Sequence, residues 1–290
     1  MRAGFVNIMG RPNAGKSTLL NALIGEKMAI VSPKVQTTRH RIRAILSGKD
    51  YQIVFSDTPG IIQPEYKLHE RMMHAVRAGM TDADVCIFLI DARDDLMAVE
   101  SLIQELLGKI RVLIVVNKID LIGESRKTEI ASFFSTKAYV RNLVFVSASK
   151  KIGLDELTSL LINLLPESDA YFPEDALTDM PTRFFVSELI REQTYFLYDE
   201  ELPYQIAVAI TKFEEREHII SIAADIIVHR ESQKGIILGA GGSMIKKLGM
   251  ASRASIEQFL DKKIYLELFV KVRSNWRNNE TFLREYGYLQ

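Results

Sequence analysis

The sequence predicts a doubly wound, mostly parallel α/β domain followed by a smaller α+β domain. Three observations lead there. Apolar runs at residues 5–9, 52–56, 85–91, 112–116 and 143–146 are short and uninterrupted, as strands buried on both faces are, and segments of helical period such as 96–107 and 154–165 lie between them. From residue 166 to 181 the chain turns rich in proline and acid and loses its apolar period, after which the period resumes in a different order. A length of 290 residues with 47% hydrophobic content suits two ordinary cores better than one.

Composition narrows the classes. No apolar stretch approaches the roughly 20 residues that cross a bilayer, and Met1-Arg2-Ala3-Gly4 leads straight into a strand, so a soluble cytoplasmic protein is expected. Cys86 is the single cysteine and sits inside an apolar run, which excludes an internal disulfide or thiolate cluster and marks a buried strand residue. His69 and His74 are five apart, not the three or four that bring two histidines to one helical face, so Mg²⁺ is the one metal the motifs below imply. Charge balances at 37 basic against 37 acidic residues, but unevenly: between Ser232 and Ile256 there is no acid, while Lys234, Lys246, Lys247 and Arg253 are basic.

The first strand runs into Gly10-Arg11-Pro12-Asn13-Ala14-Gly15-Lys16-Ser17-Thr18, and an apolar-periodic stretch follows from 18 to 24. Strand, glycine-bounded loop and helix in this order form a P-loop, whose backbone N–H groups and helix N-terminus wrap phosphates. Lys16 is placed to reach the β- and γ-phosphates, and Ser17 to ligate Mg²⁺. The run at 52–56 ends at Asp57-Thr58-Pro59-Gly60-Ile61, where a carboxylate can hold the Mg²⁺ shell and a glycine N–H can bond a γ-phosphate. The run at 112–116 ends at Asn117-Lys118-Ile119-Asp120. The Asp120 carboxylate can accept from both the N1–H and the exocyclic amine of guanine, a pair adenine does not offer. Lys118 can lie across the base, Asn117 can tie the loops together, and Ser147-Ala148-Ser149 after the last strand can place an N–H near the guanine O6.

These motifs, in this order, resemble the signature set of the translation-factor-related GTPases over residues 2–165. The resemblance implies a P-loop GTPase domain with a nucleotide-dependent switch at Gln36-Thr37-Thr38-Arg39-His40, in which Thr38, or next Thr37, completes the Mg²⁺ shell. Residues 40–47 then form the alternating edge strand after the switch. One departure bears on rate. Ile61 and Ile62 stand where small signalling GTPases carry a water-orienting glutamine, which predicts slow intrinsic turnover. Asn13 resembles the P-loop asparagine of GTPases that hold K⁺ beside the phosphates.

Past the linker, helical spacing at 184–198, a β pair at 205–213 and 219–229, helices at 243–248 and 252–260, and a strand at 264–272 give an α+β order. Gly239-Ala240-Gly241-Gly242 precedes Ser243 and a helix carrying Ile245, Lys246 and Lys247. Two glycines three apart let a nucleic-acid backbone come close. The loop resembles the GXXG of a KH domain, and the element order its type II variant, which implies single-stranded RNA bound by residues Lys234, Gly235, Ile237, 239–243, Ile245, Lys246 and Lys247. Ile236, Ile237, Ile245 and Leu248 are the candidates for an apolar groove, some of them being core. The tail with Arg273, Trp276, Arg277, Phe282, Arg284, Tyr286 and Tyr288 reads equally as a base-stacking surface or as a segment docked on its own domain.

A GTPase domain joined to a KH domain, with Tyr171-Phe172-Pro173-Glu174-Asp175 and Arg183-Phe184-Phe185-Val186-Ser187-Glu188, closely resembles the bacterial Era family over essentially the whole chain. That likeness implies a G domain at 1–166, a linker at 167–182, a type II KH domain at 183–274 and a tail at 275–290. It also implies a monomeric cytoplasmic assembly factor of the small ribosomal subunit that binds GTP and GDP and the 3′ end of 16S ribosomal RNA, at times loosely at the cytoplasmic face of the inner membrane. A membrane or cell-division signalling GTPase whose second domain binds protein is one rival reading; an RNA-modifying GTPase is a second, opposed by the lack of a metal cluster, catalytic cysteine pair or cofactor fingerprint in residues 182–290.

Overall fold

The computed structural model describes residues 1–32, 34, 37–107 and 112–288; Gln36 of the switch segment lies outside them. The chain divides into two compact units. The first comprises Met1–Ala29, Thr38–Gln63 and Met72–Asp179, and the second Met180–Gln290 together with two segments from the first half, Ile30–Thr37 and Pro64–Arg71.

Through residue 165 the elements are β1 (Arg2–Gly10), α1 (Lys16–Ile24), β2 (Ile42–Gly48), β3 (Tyr51–Asp57), α2 (Lys67–Thr81), β4 (Val85–Asp91), α3 (Leu96–Leu107), β5 (Val112–Asn117), α4 (Glu124–Ser135), β6 (Val140–Phe145) and α5 (Leu154–Leu164). The six strands make one sheet in the order β2-β3-β1-β4-β5-β6. Every pairing is parallel except β2 with β3. The uninterrupted apolar runs have their physical explanation here: every residue of β4 and of β5 is buried, because helices cover both faces of a parallel sheet. The helices bury one stripe only, Leu154, Leu157 and Leu161 in α5 and Leu96, Val99 and Ile103 in α3. Register brings Asp57 level with Ile8 and Asn117 level with Asp91, so the polar strand ends collect along the carboxyl edge of the sheet, where ligands of such folds gather.

The segment after α5 is more than a tether. Tyr171 and Phe172 donate their N–H groups to the buried Gln52 Oε1 at 2.8 and 3.0 Å, and Gln52 Nε2 returns a bond to the Phe172 carbonyl at 2.9 Å. Ile45 N–H of the edge strand β2 donates to the Leu177 carbonyl, and Arg43 pairs with Asp179 at 2.8 Å. Hydrogen bonds to a sheet edge need no apolar period, which is why the composition of 167–179 does not announce this attachment.

In the second unit, α6 (Thr182–Leu197), β7 (Ala207–Glu215), β8 (Ile220–Val228), α7 (Glu231–Leu238), α8 (Ser243–Leu260), β9 (Ile264–Val272) and α9 (Glu280–Glu285) follow in order. The three-stranded sheet runs β7-β8-β9, antiparallel then parallel. The two expected helices at 243–248 and 252–260 are instead one continuous helix, α8, and the other member of the helix pair is α7, which lies before the glycine loop. Gly249 marks no break. A Cβ there would make an ordinary contact with Leu268 of β9 at 3.8 Å, so no close approach requires the glycine. The tail is docked: Trp276 and Leu283 are fully buried, and the indole Nε1–H donates to the Gln205 carbonyl at 3.0 Å. No helix among the described residues is long and apolar enough to cross a membrane.

Candidate functional site

The loop from Gly10 to Ser17 connects β1 to α1 at the carboxyl edge of the sheet. Gly15 has φ 97°, and a Cβ there would stand 2.3 Å from Asn117 Nδ2, so both backbone shape and space demand glycine. Lys16 is almost fully buried, its Nζ donating to the carbonyls of Gly10 and Arg11 at 3.1 and 2.9 Å. Burial draws its ammonium down to about 8, against the attraction of Asp57, and pushes the Asp57 carboxyl up to about 6, against Lys16 and the hydroxyls of Ser17 and Thr38. Each charge therefore has room for further opposite charge, an anion beside Lys16 and a cation beside Asp57.

Three oxygens converge at the cation side. Ser17 Oγ donates to Asp57 Oδ2 at 2.7 Å and lies 2.8 Å from Thr38 Oγ1, which donates to the same Oδ2 at 3.3 Å. Asp57 Oδ1 is buried with no hydrogen-bond partner among the described residues. A carboxylate and two hydroxyls are hard donors of the kind Mg²⁺ takes, and the orphaned oxygen is what a hydrated cation would satisfy. Thr37 is not in this cluster: its carbonyl accepts from Arg191 of α6. Arg39 is buried and His40 half-buried beside them in the chain.

The other end of the cleft is tied as tightly. Asn117 Nδ2 donates to the Ala14 carbonyl at 2.9 Å, and Ala148 N–H donates to Asn117 Oδ1 at 3.0 Å. Lys118, at φ 64°, donates to the Asn13 carbonyl at 2.7 Å and pairs with Asp91 at 2.9 Å. Ser147 Oγ donates to Asp120 Oδ1 at 2.5 Å, fixing an otherwise exposed carboxylate. Ile119 lies half-buried between them, Ser149 is exposed, and Thr18 lies in the first turn of α1. Thr58 turns away: its hydroxyl donates to the Ile8 carbonyl inside the sheet, and Ile61 N–H donates to the Gly10 carbonyl, while a side chain at Gly60 would strike Pro12. Asp91 was not among the expected residues. Burial opposes its ionisation, but Arg93 and Lys118 outweigh that and hold the carboxyl below the usual range, so it positions Lys118. Its only sequence signal is its place at the end of an apolar run.

In the second unit, Gly239, Gly241 and Gly242 all have positive φ, and the loop leads directly into the N-terminus of α8, which no side chain caps. Gly235, Ala240, Gly241, Ser243, Lys246 and Lys247 are exposed, and Lys234 and Ile245 half-exposed. Ile237 is a correction. Its side chain is completely buried in the core with Leu248, because α7 turns that face onto the sheet, and Ile236, 56% exposed, is the neighbour left for solvent.

A family profile described as a 50S ribosome-binding GTPase matches residues 5–118, and a KH-domain profile matches residues 201–277. Fold and site together define the class: a P-loop GTPase with a carboxyl-terminal KH domain. The chain is 43% identical over 290 residues to the GTPase Era of Geobacter sp. (strain M21), covering 99% of this chain and 98% of that one. It is 42% identical over 291 residues to the GTPase Era of Caldanaerobacter subterraneus subsp. tengcongensis, with coverage of 99% and 98%. Two crystal structures superpose over 100% of both chains at 37% identity and TM-score 0.95: an Era variant of Aquifex aeolicus bound to GDP·AlF4⁻, and Era in complex with MgGDPNP and nucleotides 1506–1542 of 16S ribosomal RNA. The chain belongs to the Era family of GTPases, and it is an enzyme that hydrolyses GTP.

Proposed function

We propose that this GTPase binds single-stranded RNA of the small ribosomal subunit, at the 3′ end of 16S ribosomal RNA, through the loop from Gly239 to Gly242, and that bound GTP governs this binding. The observation that carries the proposal is the exposed glycine loop opening onto the uncapped N-terminus of α8, with Lys246 and Lys247 exposed on its first turns. Phosphates favour a helix N-terminus, and side-chain-free backbone lets them approach. A relative at TM-score 0.95 holds nucleotides 1506–1542 of that RNA, which supports the choice of RNA over a protein partner.

On the nucleotide side, Lys16 would hold the β- and γ-phosphates, Asp120 would select guanine, and Ser17, Thr38 and Asp57 would hold Mg²⁺. Bound there, the ion would supply positive charge to the transferring phosphoryl group. Thr38 would join the cluster with GTP and leave it after hydrolysis. With isoleucines at 61 and 62, positive charge beside the phosphates matters more, and Asn13 is the residue we assign to a K⁺ ion there. The test of the whole reading is binding of a 3′-end ribosomal sequence and a scrambled one to the GTP-analogue and GDP forms at stated salt. Selective, nucleotide-dependent binding supports it, whereas equal, salt-driven binding to both promotes a protein partner.

A further inference from the structure

The segment Ile30–Thr37, which runs up to Thr38, belongs to the same compact unit as α6. Bonds from described residues hold it there. Val31 N–H donates to Glu192 Oε1 at 3.1 Å, Lys34 Nζ donates to the Tyr198 carbonyl, and Arg191 Nη2 donates to the Thr37 carbonyl. The last is the informative one. The Arg191 side chain is 1% exposed, and its guanidinium is held by Glu188, with Nε 2.7 Å from Oε1, and by Tyr195, with Nη1 3.1 Å from the hydroxyl. Burying an ion pair is a poor route to stability, since apolar residues of similar volume commonly do as well or better. What apolar residues do not supply is a donor of fixed direction on a backbone carbonyl. That carbonyl belongs to the peptide plane shared with Thr38, whose hydroxyl is 2.8 Å from Ser17 Oγ.

We propose that Arg191, oriented by Glu188 and Tyr195, is a positioning residue for GTP hydrolysis: by fixing the Thr37–Thr38 peptide it sets how often the Thr38 hydroxyl stands with Ser17 and Asp57. The inference rests on the reading of those three residues as the Mg²⁺ ligands. Glu192 acts at Val31, so α6 holds this segment at Val31 as well as at Thr37. A helix of the RNA-binding unit thereby has a say in the GTP state.

The test uses the full chain with Glu188→Gln and Arg191→Met together, which removes the donor without stranding a buried charge, and Arg191→Lys as a milder change that keeps charge but loses the two-sided fork. Affinities for a GTP analogue in Mg²⁺ and for GDP, kcat and KM, and thermal melting are measured for each, beside Thr38→Ala. Losing one charge-assisted hydrogen bond predicts a roughly 10- to 100-fold weaker GTP analogue and a lower kcat in the double variant. GDP affinity should stay unchanged, and Arg191→Lys should fall between. Equal losses for GTP analogue and GDP, or no loss in either Arg191 variant while Thr38→Ala weakens GTP analogue alone, overturn the role of Arg191 and leave the Mg²⁺ reading standing. If Thr38→Ala leaves the GTP analogue unaffected, the ligand reading falls first and the inference with it.

Discussion

The Asn117 side chain donates to the Ala14 carbonyl at 2.9 Å, joining the loop after β5 to the loop after β1. Its oxygen at the same time accepts from Ala148 N–H, so one amide fastens three strand-end loops that lie far apart in sequence. Such a residue shapes the cleft whatever phosphate is present. Asn117→Ala removes two buried hydrogen bonds worth about 1 kcal/mol each, so GTP and GDP affinities should fall together, by about 30-fold, in equilibrium titration.

In the proposed reading Asp120 acts on the base alone. Its carboxylate is oriented by the Ser147 hydroxyl, which donates to Oδ1. Asp120→Asn replaces one acceptor with a donor, which mismatches the guanine amine but matches the 2-carbonyl of xanthine. Competition binding should show GTP weakened by at least about 30-fold, the cost of breaking a charge-assisted pair, with XTP gaining.

Asn13 has φ 61° and its carbonyl already accepts from Lys118, so the residue is held in place at the rim of the P-loop. If it supports K⁺, turnover should be faster in potassium than in sodium, and Asn13→Ala should erase the difference while leaving GDP affinity near its original value. Equal rates in the two salts for the unaltered chain would sink this assignment.

Gly241 offers the cleanest probe of the RNA loop. A Cβ there meets nothing within 4 Å, and aspartate tolerates φ 57°, whereas at Gly239 a Cβ would lie 2.9 Å from the Met244 backbone nitrogen. Gly241→Asp should weaken single-stranded RNA binding roughly tenfold by placing a carboxylate against phosphate, with melting and GTP affinity unchanged. Substitutions at Gly239 should lower the melting temperature as well, which mixes folding with binding.

Trp276 separates the two readings of the tail. Because the indole is fully buried and its N–H is bonded to Gln205, Trp276→Ala should destabilise the second unit by about 3–5 kcal/mol, seen in thermal unfolding. A base-stacking role would instead reduce RNA affinity and leave unfolding alone.

Much of the candidate nucleotide site was legible because its parts are local. A strand that ends in Asp57 or Asn117 is announced by its own apolar run, and a loop built of backbone N–H groups and glycine depends on few distant residues. The errors share a different character. Ile236 and Ile237 are adjacent and chemically identical, and only the face that α7 turns to the sheet decides which is core. Gly249 has the local character of a helix stop and lies inside α8, because the packing of Leu248 and Ile256 in the core outweighs one residue's propensity.

The sequence by itself determined the two fold classes, the strand-end motifs, the selection of guanine and the glycine loop, since periodicity and motif spacing are properties of neighbours along the chain. Only the tertiary structure decided that Thr38 and not Thr37 joins Ser17 and Asp57, that Asp91 holds Lys118, that Trp276 is core, and that Arg191 grips the Thr37 carbonyl. Each of these depends on a partner tens to more than a hundred residues away, and burial or a hydrogen bond at that distance is set by which faces pack together, a property no local pattern carries.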